Sequence, residues 1–539
     1  MSEVVLNQVR KNFYLDSVAL MRLSREIAGM EGVIEAALMM ATPANLDIMR
    51  EAGLLDGTPE ARGNDLVLGL RASGEAAGRA ALQVALRALD RPRGSAGAAA
   101  AWRPRTIAAA VRAMPEANLA LVSVPGPFAA AEARKALRRG LNVLMFSDNV
   151  PIADEVSLKR EARELGLLMM GPDCGTAVIG GAPLAFANRL ERGPIGIVGA
   201  SGTGIQEVSS LISEAGGGIS HAIGVGGRDL KREVGSITTL MAMEALEADA
   251  GTAAVVLISK PPHPDVAREV IERIAASTKP YVVCFIGAGD LDLPPNARQA
   301  HTLREAAELA CGKRIGVDFD VVERAGELQV NVRPGGRIEG LFSGGTLAAE
   351  AQVLLKASGR ELVSNAPIPG VRELEPDESR LSFSARPRES GDPDIPTSAH
   401  WVPAFAGTSG WGGPDRIIDL GADEYTRGRP HPMIDPGVRD DMLRAALADP
   451  GVAVVLVDLV IGIGAHDDPA GHLAQVLRNS PSGGAPVIAS VTGTRLDPQN
   501  RAAQTARLAE AKVIVAPSNA HACEVALAIV ELADEGSGR

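Results

Sequence analysis

The chain has 539 residues, a formal net charge of −12 and a hydrophobic fraction of 46%, so it can hold three or four domains of ordinary size. Only 3% of the residues are aromatic and no segment concentrates Lys and Arg, which excludes a nucleic-acid partner that would need stacking platforms and a basic surface. The four cysteines are scattered without a CxxC pair; this pattern indicates a reducing compartment and argues against a zinc or other metal site.

The apolar segments of the chain predict neither a membrane protein nor a secreted one. The longest apolar runs, residues 252–258 and 451–463, are too short to cross a bilayer and are typical of buried parallel strands. Residues 1–10 lack the apolar core of a signal peptide. We therefore expect a cytoplasmic protein without a membrane partner.

The first predicted domain covers residues 1–95. An amphipathic pattern over 16–28 predicts a helix, the apolar run 33–40 predicts a strand, and 45–53 predicts a second helix. Residues 91–101 are rich in Ala, Gly, Pro and Arg without any period, which is typical of a linker. The sequence therefore predicts a small α+β domain followed by a linker.

From residue 103 onward, short apolar runs alternate with helical patterns of about a dozen residues. This alternation indicates β-α-β units and parallel sheets that are covered on both faces. We predict three consecutive α/β domains and place them at residues 103–190, 191–330 and 335–535.

Residues 386–413 break this alternation. The segment has no period, is rich in Pro and Gly, and holds Trp401, Phe405 and Trp411 in a chain that is otherwise poor in aromatic residues. It resembles the peptide encoded by a palindromic repeat element that inserts into bacterial reading frames. We interpret it as a surface insertion, which loops tolerate at a small cost in chain entropy. A functional lid is the alternative.

Two glycine-rich turns each join a predicted strand to a predicted helix. Their small or hydroxyl-bearing residues are Ser201, Gly202, Thr203 and Gly204 in the first turn and Ser343, Gly344, Gly345 and Thr346 in the second. Hydroxyl groups and backbone amides at the positive end of a helix dipole suit a phosphate or a carboxylate. Neither turn is a Walker A loop, because no Gly-Lys-Ser/Thr follows. The pair predicts phosphate binding, and simple helix capping is the alternative.

Charged residues near the last predicted strands are candidates for catalysis. Arg427, Arg429 and His431 stand close together before a helix, and guanidinium groups match phosphate and carboxylate in geometry. Asp458 and His466 follow a predicted strand, where the ligands of parallel sheets gather, and either one could move a proton. The alternatives are a solvated turn for the first group and, for Asp467 beside His466, a helix cap.

Polar residues also end the two later strands of the last domain. They are Thr492, Gly493, Thr494 and Asn519. By the same argument we expect them to contact the substrate. Each one taken singly is also a common helix-capping residue.

Several motifs carry a resemblance to known enzymes. VSVPGPF (122–128), MMGPDCGT (169–176) and GPIGIVGASGTG (193–204) resemble the succinyl-CoA synthetase α subunit in order and spacing. SGGTLAAE (343–350) and YTRGRPHPMIDP (425–436) are similar to the FdrA family of acyl-CoA-synthetase-like proteins. The region after residue 416 resembles the carboxy-terminal domain of the synthetase β subunit, so the resemblance covers nearly all of the chain except the insertion.

The resemblance implies an α/β fold. After the small amino-terminal α+β unit it implies a Rossmann-like CoA-ligase-type domain over 103–190. Two flavodoxin-like succinyl-CoA-synthetase domains with parallel sheets would follow over 191–330 and 335–535. The active site is then expected between these last two domains.

The chain departs from the ligase pattern at the phosphoryl carrier. ADP-forming ligases carry the phosphoryl group on a histidine in a Gly-His-Ala-Gly loop, where this chain reads GAGDLD (287–292) without a histidine. The ligase glutamate that orients this histidine is replaced within SKPP (259–262). The resemblance also includes neither an ATP-grasp domain nor the Gly-rich loop that begins the CoA-binding domain. It therefore implies a chain that keeps two helix N-termini and binds a diffusing phosphate-bearing substrate.

The FdrA resemblance implies a subunit of a carbamoyltransferase of allantoin or purine catabolism. Carbamoyl phosphate or phosphate would be the substrate, with oxamate or oxalurate as the small acid. The resemblance identifies no certain cofactor. It implies further protein subunits of the same pathway and an oligomer. The alternatives are an ADP-forming acyl-CoA synthetase subunit, which would bind CoA, and a noncatalytic subunit that binds a metabolite.

Overall fold

The computed structural model describes residues 3–13, 15, 17–57, 59–90, 104–328, 332, 334–375, 413–426, 430–480 and 483–536. Arg427, Arg429, the predicted linker and nearly all of the predicted insertion lie outside the described residues. Within the described ranges the strands form four sheets, one for each predicted domain. The predicted α/β fold with parallel sheets and a small amino-terminal α+β unit is confirmed.

The amino-terminal domain is an antiparallel three-stranded sheet with helices on its faces. Its elements are β1 (Val4–Arg10), α1 (Ser17–Ala28), β2 (Val33–Met40), α2 (Pro43–Glu51), β3 (Leu66–Ala72) and α3 (Glu75–Asp90). The strand order is β1-β3-β2. Leu38, Leu68 and Leu70 form one core with α1 and α3, and Val67 packs with α2 on the opposite face, as the alternation of side chains along a strand requires.

The second domain has a parallel sheet with the order β4-β5-β6, the adjacency found in half of a Rossmann sheet. Its elements are α4 (Ile107–Ala113), β4 (Leu119–Val122), α5 (Gly126–Leu137), β5 (Asn142–Met145), α6 (Ile152–Glu164) and β6 (Met169–Met170). Buried alanines at 129, 133 and 136 line one face of α5, so this helix can approach the sheet closely.

The third domain has a seven-stranded sheet. Its elements are β7 (Thr176–Ile179), β8 (Ala182–Ala185), β9 (Arg192–Gly199), α7 (Gly202–Glu214), β10 (Ile219–Gly224), α8 (Ile237–Ala248), β11 (Ala254–Ser259), α9 (Pro264–Ala275), β12 (Tyr281–Phe285), β13 (Ala297–Gln299), α10 (Leu303–Cys311) and α11 (Val321–Leu328). The order is β13-β12-β11-β9-β10-β7-β8. The five strands from β9 to β13 have flavodoxin order. The hairpin β7-β8, which the sequence boundary at 190 assigns to the preceding domain, pairs with β10 of this sheet.

The fourth domain has a fully parallel sheet with the order β16-β15-β17-β14-β18-β19-β20. Its elements are β14 (Arg337–Phe342), α12 (Gly345–Ala357), β15 (Leu362–Ser364), β16 (Arg372–Glu373), β17 (Asp415–Asp419), α13 (Asp423–Thr426), α14 (Gly437–Ala448), β18 (Val452–Val460), α15 (Pro469–Arg478), β19 (Val487–Thr492), α16 (Arg501–Glu510), β20 (Ile514–Ala516) and α17 (Asn519–Gly536). Without β15 and β16 the order is again flavodoxin-like. All nine residues of β18 are buried, because helices cover both faces of the sheet.

The third and fourth domains share one hydrophobic core. Val208 on α7, Leu347 on α12 and Ile529 on α17 belong to the same cluster of buried side chains. Near its edge, the Asn188 side chain donates hydrogen bonds to the Ile461 carbonyl and to the Asp497 carboxylate, both at 2.8 Å. The two flavodoxin-like domains therefore pack against each other through a continuous hydrophobic core and not through a hydrated surface.

A buried ion cluster ties the second domain to the third. Lys159 on α6 is fully buried, and its ammonium group donates to the carbonyl of Val225 at 2.9 Å and to Asp229 at 2.6 Å. The buried Glu155 carboxylate lies 3.0 Å from the same ammonium group. Because an isolated buried charge is costly, this cation is tolerated only with its three oxygen partners in place.

We predict that Lys159→Met lowers the free energy of unfolding by about 3–5 kcal/mol, because it leaves two buried carboxylates without their shared cation. Urea unfolding of the full chain measures the change. The matched control is Lys135→Met on α5, whose exposed ion pair with Glu132 contributes at most about 1 kcal/mol. Equal losses for the two variants would contradict the prediction.

Candidate functional site

Helices α7 and α12 begin at matching places in their sheets. Helix α7 follows β9 and α12 follows β14, which are the first strands, in chain order, of the two flavodoxin-like arrangements. Both helices therefore begin at the carboxyl edge of their sheet, at the point where the strand order reverses and where ligands of such sheets bind. The hydroxyl groups of Ser201 and Thr346 share a hydrogen bond. A Cβ at position 344 would lie 3.0 Å from the side chain of Thr203, so glycine at this position eases the close approach of the two helix starts.

Four backbone amides at the two helix starts have no acceptor among the described residues. The Gly204 amide donates to the Ser201 hydroxyl at 3.0 Å, whereas the amides of Gly202 and Thr203 have no hydrogen-bond partner among the described residues. The same holds for the amides of Gly345 and Thr346 at the start of α12. Two positive helix ends and four open amides thus converge, which is an arrangement suited to an anion. We call these four residues, together with Ser201, the anion cradle.

Asp458, at the end of β18, holds the turn that leads into α12. Its carboxylate accepts the amides of Ser343 at 2.6 Å and Gly344 at 2.7 Å, and Arg439 lies 3.4 Å away. Asp458 is fully buried; burial raises the pKa of its carboxyl, while Arg439 and the two amides oppose that rise. These contacts fix the two residues that precede the cradle residues Gly345 and Thr346 in the chain. The predicted catalytic role of Asp458 stays a prediction.

Asp419 lies beside the cradle at the end of β17. A Cβ at Gly345 would come within 2.5 Å of its carboxylate, so this carboxylate borders the start of α12. Burial raises the pKa of Asp419 to about 6, and the positive charge of Lys260 opposes the rise. Sequence reasoning did not single out Asp419 or Lys260. Asp419 is an acidic residue at the end of an apolar run, and the same feature pointed to Asp458.

His431 reaches the same place from the segment that precedes α14. A Cβ at Gly421 would lie 2.8 Å from both His431 Nε2 and the Ser343 carbonyl. His431 Nδ1 accepts the amide of Met433 at 3.2 Å, and burial lowers the pKa of the ring to about 4. At neutral pH His431 is therefore an uncharged imidazole whose proton is on Nε2.

Arg427 and Arg429, the two predicted anion-binding arginines, lie outside the described residues. Glu424, which precedes them in the chain, accepts a hydrogen bond from Asn365 at 2.6 Å. The same Asn365 amide group donates to the Asp419 carbonyl at 3.0 Å. The roles of both arginines stay predictions.

His466 contacts the turn that carries His431. Its amide donates to the Met433 carbonyl at 2.8 Å, its Nδ1 accepts the Asp468 amide at 3.0 Å, and its ring packs edge to face with His472. Burial, and next the charge of His472, lowers the pKa of His466. Within the described chain no hydrogen bond joins it to the cradle. Its predicted proton transfer stays a prediction.

The four residues predicted to contact substrate lie between the two flavodoxin-like domains. They are Thr492, Gly493, Thr494 and Asn519, and all are buried. The Thr492 hydroxyl and the Asn519 amide donate to Glu207 of α7, and the Thr494 hydroxyl donates to the Arg189 carbonyl at 2.7 Å. A Cβ at Gly493 would overlap Ile461 at 2.1 Å. Their described contacts join domains, and their contact with substrate stays a prediction.

The described ranges hold no cluster of three or more His, Cys, Asp or Glu side chains placed to bind a metal ion. Among the helices of these ranges, none has both the length and the apolarity to cross a bilayer.

Family models match three parts of the chain. A model described as "CoA-ligase" matches residues 341–529, and one described as "CoA binding domain" matches residues 191–287. A third, "AllF, heavy metal-associated domain", matches residues 1–104. The two CoA models fall on the two domains whose helix starts form the anion cradle.

Among curated proteins, YahF of Escherichia coli K12, a protein described as uncharacterized, is 39% identical over 529 residues, which is 95% of this chain and 96% of YahF. The α subunit of ADP-forming succinate–CoA ligase from Methanothermobacter thermautotrophicus is 30% identical over 193 residues. That match covers 34% of this chain and 62% of the subunit, so the chain spans less than two thirds of the ligase subunit.

Among solved structures, the dinucleotide-forming acetyl-coenzyme A synthetase 1 of Ca. Korarchaeum cryptofilum, in complex with phosphate and ADP, matches 78% of this chain and 84% of its own. The identity is 14% and the TM-score is 0.27. Despite the wide coverage, both the sequence identity and the structural similarity are low.

The residues matched by the heavy-metal-associated model include neither cysteine nor histidine, since the first cysteine of the chain is Cys174 and the first histidine is His221. Thiolate and imidazole ligands are therefore absent from residues 1–104, and methionine thioethers are the soft-metal ligands that remain in this range.

We predict that Asp458→Asn weakens phosphate binding and lowers the free energy of unfolding by about 2–3 kcal/mol, because an amide cannot replace both charged acceptors of the turn. Urea unfolding and calorimetric titration with inorganic phosphate measure the two effects. Asp467→Asn is the control, since Asp467 is exposed and should change stability by less than about 0.5 kcal/mol. An Asp458→Asn protein with wild-type phosphate affinity would contradict the assignment.

Proposed function

This chain belongs to the FdrA family of acyl-CoA-synthetase-like proteins, and from that premise we propose that it is a carbamoyltransferase subunit that binds the phosphate of carbamoyl phosphate in the anion cradle. The observation that carries the proposal is the convergence of four open amides at two touching helix starts. Such amides stabilise phosphate oxygens in a site that is already organised. The second substrate is a small acid of the oxamate type.

Direct transfer of the carbamoyl group, without a phosphorylated histidine, is consistent with the sequence of the loop at 287–292, where related ligases carry their histidine. Residues 287–292 read GAGDLD and hold no histidine. Gly287 lies against Ile368 of the fourth domain, to which a Cβ would come within 3.4 Å. A loop without the ligase histidine favours a reaction in which the phosphate-bearing molecule itself is the reactant.

In the proposed reaction the nitrogen of oxamate attacks the carbonyl carbon of carbamoyl phosphate. The bond between that carbon and the phosphate oxygen breaks, phosphate leaves with the electron pair, and one proton leaves the nitrogen. Asp419, whose pKa burial raises to about 6, is the group we propose to accept this proton. The neutral His431 donates a hydrogen bond from Nε2, and Arg427 and Arg429 bind the acid carboxylate.

An ADP-forming acyl-CoA synthetase subunit is the second candidate, and the two CoA-related family models favour it. Phosphate groups of CoA or of an acyl phosphate share the anion chemistry of carbamoyl phosphate, so the cradle suits all three ligands. This candidate requires a phosphoryl carrier supplied from elsewhere. A cytoplasmic location, partner subunits and an oligomeric state are part of both proposals.

The decisive assay incubates the protein, together with the products of its neighbouring genes, with oxalurate and phosphate. Carbamoyl phosphate and oxamate are the expected products, measured by coupled formation of ATP from ADP with a carbamate kinase. A parallel reaction with succinate, CoA and ATP tests the ligase. The absence of carbamoyl phosphate from the full set of subunits would overturn the first proposal, and CoA-dependent release of ADP would favour the second.

We predict that the double variant Arg427→Ala and Arg429→Ala lowers the rate of carbamoyl transfer at least about 100-fold, because it removes charged donors from the substrate. Initial rates in the assembled complex measure the effect. Arg314→Ala is the matched control, since the side chain of Arg314 is 84% exposed. Full turnover by the double variant would remove both arginines from the catalytic step.

A further inference from the structure

The two helices of the cradle carry a glutamate at the same position. After its N-cap residue, α7 reads Gly202-Thr203 and reaches Glu207, and α12 reads Gly345-Thr346 and reaches Glu350. In both helices the glutamate is the sixth residue after the N-cap, which places it about 9 Å along the axis from the cap. Both glutamates are buried, with 2% and 0% of their surface exposed.

One residue, Asn519 at the start of α17, contacts both carboxylates. Its backbone amide donates to Glu207 at 3.1 Å, and its side-chain amide donates to Glu350 at 2.8 Å and to the Leu347 carbonyl at 3.0 Å. Each glutamate has one further donor, the Thr492 hydroxyl for Glu207 and the Leu303 amide for Glu350. The described contacts of both carboxylates are thus hydrogen bonds from neutral groups.

The charged and titratable groups around the pair come from five elements. Arg501 on α16 and Asp458 on β18 act on Glu207, and Arg304 on α10 acts on Glu350. Burial raises the pKa of the thiols of Cys284 on β12 and Cys523 on α17, and the charge of Glu350 adds to the rise. Burial raises the pKa of Glu350 to about 7, and the charge of Glu207 adds to the rise.

We infer that Glu207, Asn519 and Glu350 form a clasp that fixes α7 against α12 and thereby positions the amides of the anion cradle. In the clasp these three are positioning residues, because the clasp acts through the helices. This inference rests on the proposed anion site. Burial and mutual repulsion of the two carboxylates favour the binding of one proton, so we expect cradle geometry and phosphate affinity to depend on pH near neutrality.

The sign of the pH effect follows from the raised pKa of Glu350. The folded protein holds this proton more tightly than the unfolded chain, whose glutamate has an ordinary pKa of 4.5. The contribution to stability is full below that value and is lost as the pH rises through about 7. Phosphate affinity is expected to fall in the same window.

The test compares the full chain with Glu350→Gln, Asn519→Ala and the control Glu510→Gln, whose glutamate is exposed on α16. Calorimetric titration with inorganic phosphate from about pH 5.5 to 8.5 should show a fall in affinity for the wild type and the control. Glu350→Gln should flatten this profile, and Asn519→Ala should weaken binding about ten-fold. An unchanged profile in Glu350→Gln, or wild-type affinity in Asn519→Ala, would overturn the clasp.

A second readout separates the clasp from the proposed function. Hydrogen exchange at the amides of Gly204, Ile205 and Ala348, which are hydrogen-bonded in the first turns of the two helices, reports the helix starts without any ligand. Faster exchange in Asn519→Ala than in Glu510→Gln supports the clasp. Equal exchange in these two variants overturns it. If the wild type binds no phosphate at any pH, the proposed function fails, and the exchange comparison alone decides whether the clasp positions the helices.

Discussion

The contact between the starts of α7 and α12 is the constraint on which the rest of the site depends. Both helices point their positive dipole ends at one place, and the hydroxyl groups of Ser201 and Thr346 meet there. Like ends of two helices repel each other, and negative charge nearby removes that repulsion. The structure supplies part of this charge through Asp458 and Asp419, which border the start of α12, and leaves the open amides of both helices to an anionic ligand.

The interior that holds the two helices together contains buried polar groups as well as apolar ones. The hydrophobic cluster that spans the third and fourth domains provides the bulk of the contact, since burial of apolar surface is the main favourable term. Buried hydrogen-bonded groups such as Thr492, Asn519 and Asp497 are set into it. Because an unpaired buried polar group is costly, these groups restrict the two domains to the one arrangement in which all of them are paired.

The alternation of apolar runs and helices predicted the parallel sheets, and the glycine-rich turns predicted the two helix starts, because both signals are local in the chain. Sequence reasoning did not predict the hydrogen bonds of Thr492 and Asn519 to Glu207 of the third domain, because a strand end looks the same whether it faces solvent or another domain. It overlooked Asp419, although a strand-end carboxylate is a local signal. The placement of this residue beside Gly345 depends on how the strands of the fourth sheet are ordered in space. The pairing of hairpin β7-β8 with strand β10 of the third sheet is likewise a long-range contact, which no local sequence pattern predicts.

The shared core of the two flavodoxin-like domains has a consequence for how the site assembles. Family resemblance relates these domains to separate α and β subunits of a ligase, whose meeting is a bimolecular step governed by protein concentration. In this protein both halves of the cradle lie on one polypeptide, so they meet at the high effective concentration of a tethered pair. Dilution therefore leaves the cradle itself intact, and any dependence of activity on protein concentration reports the binding of other chains.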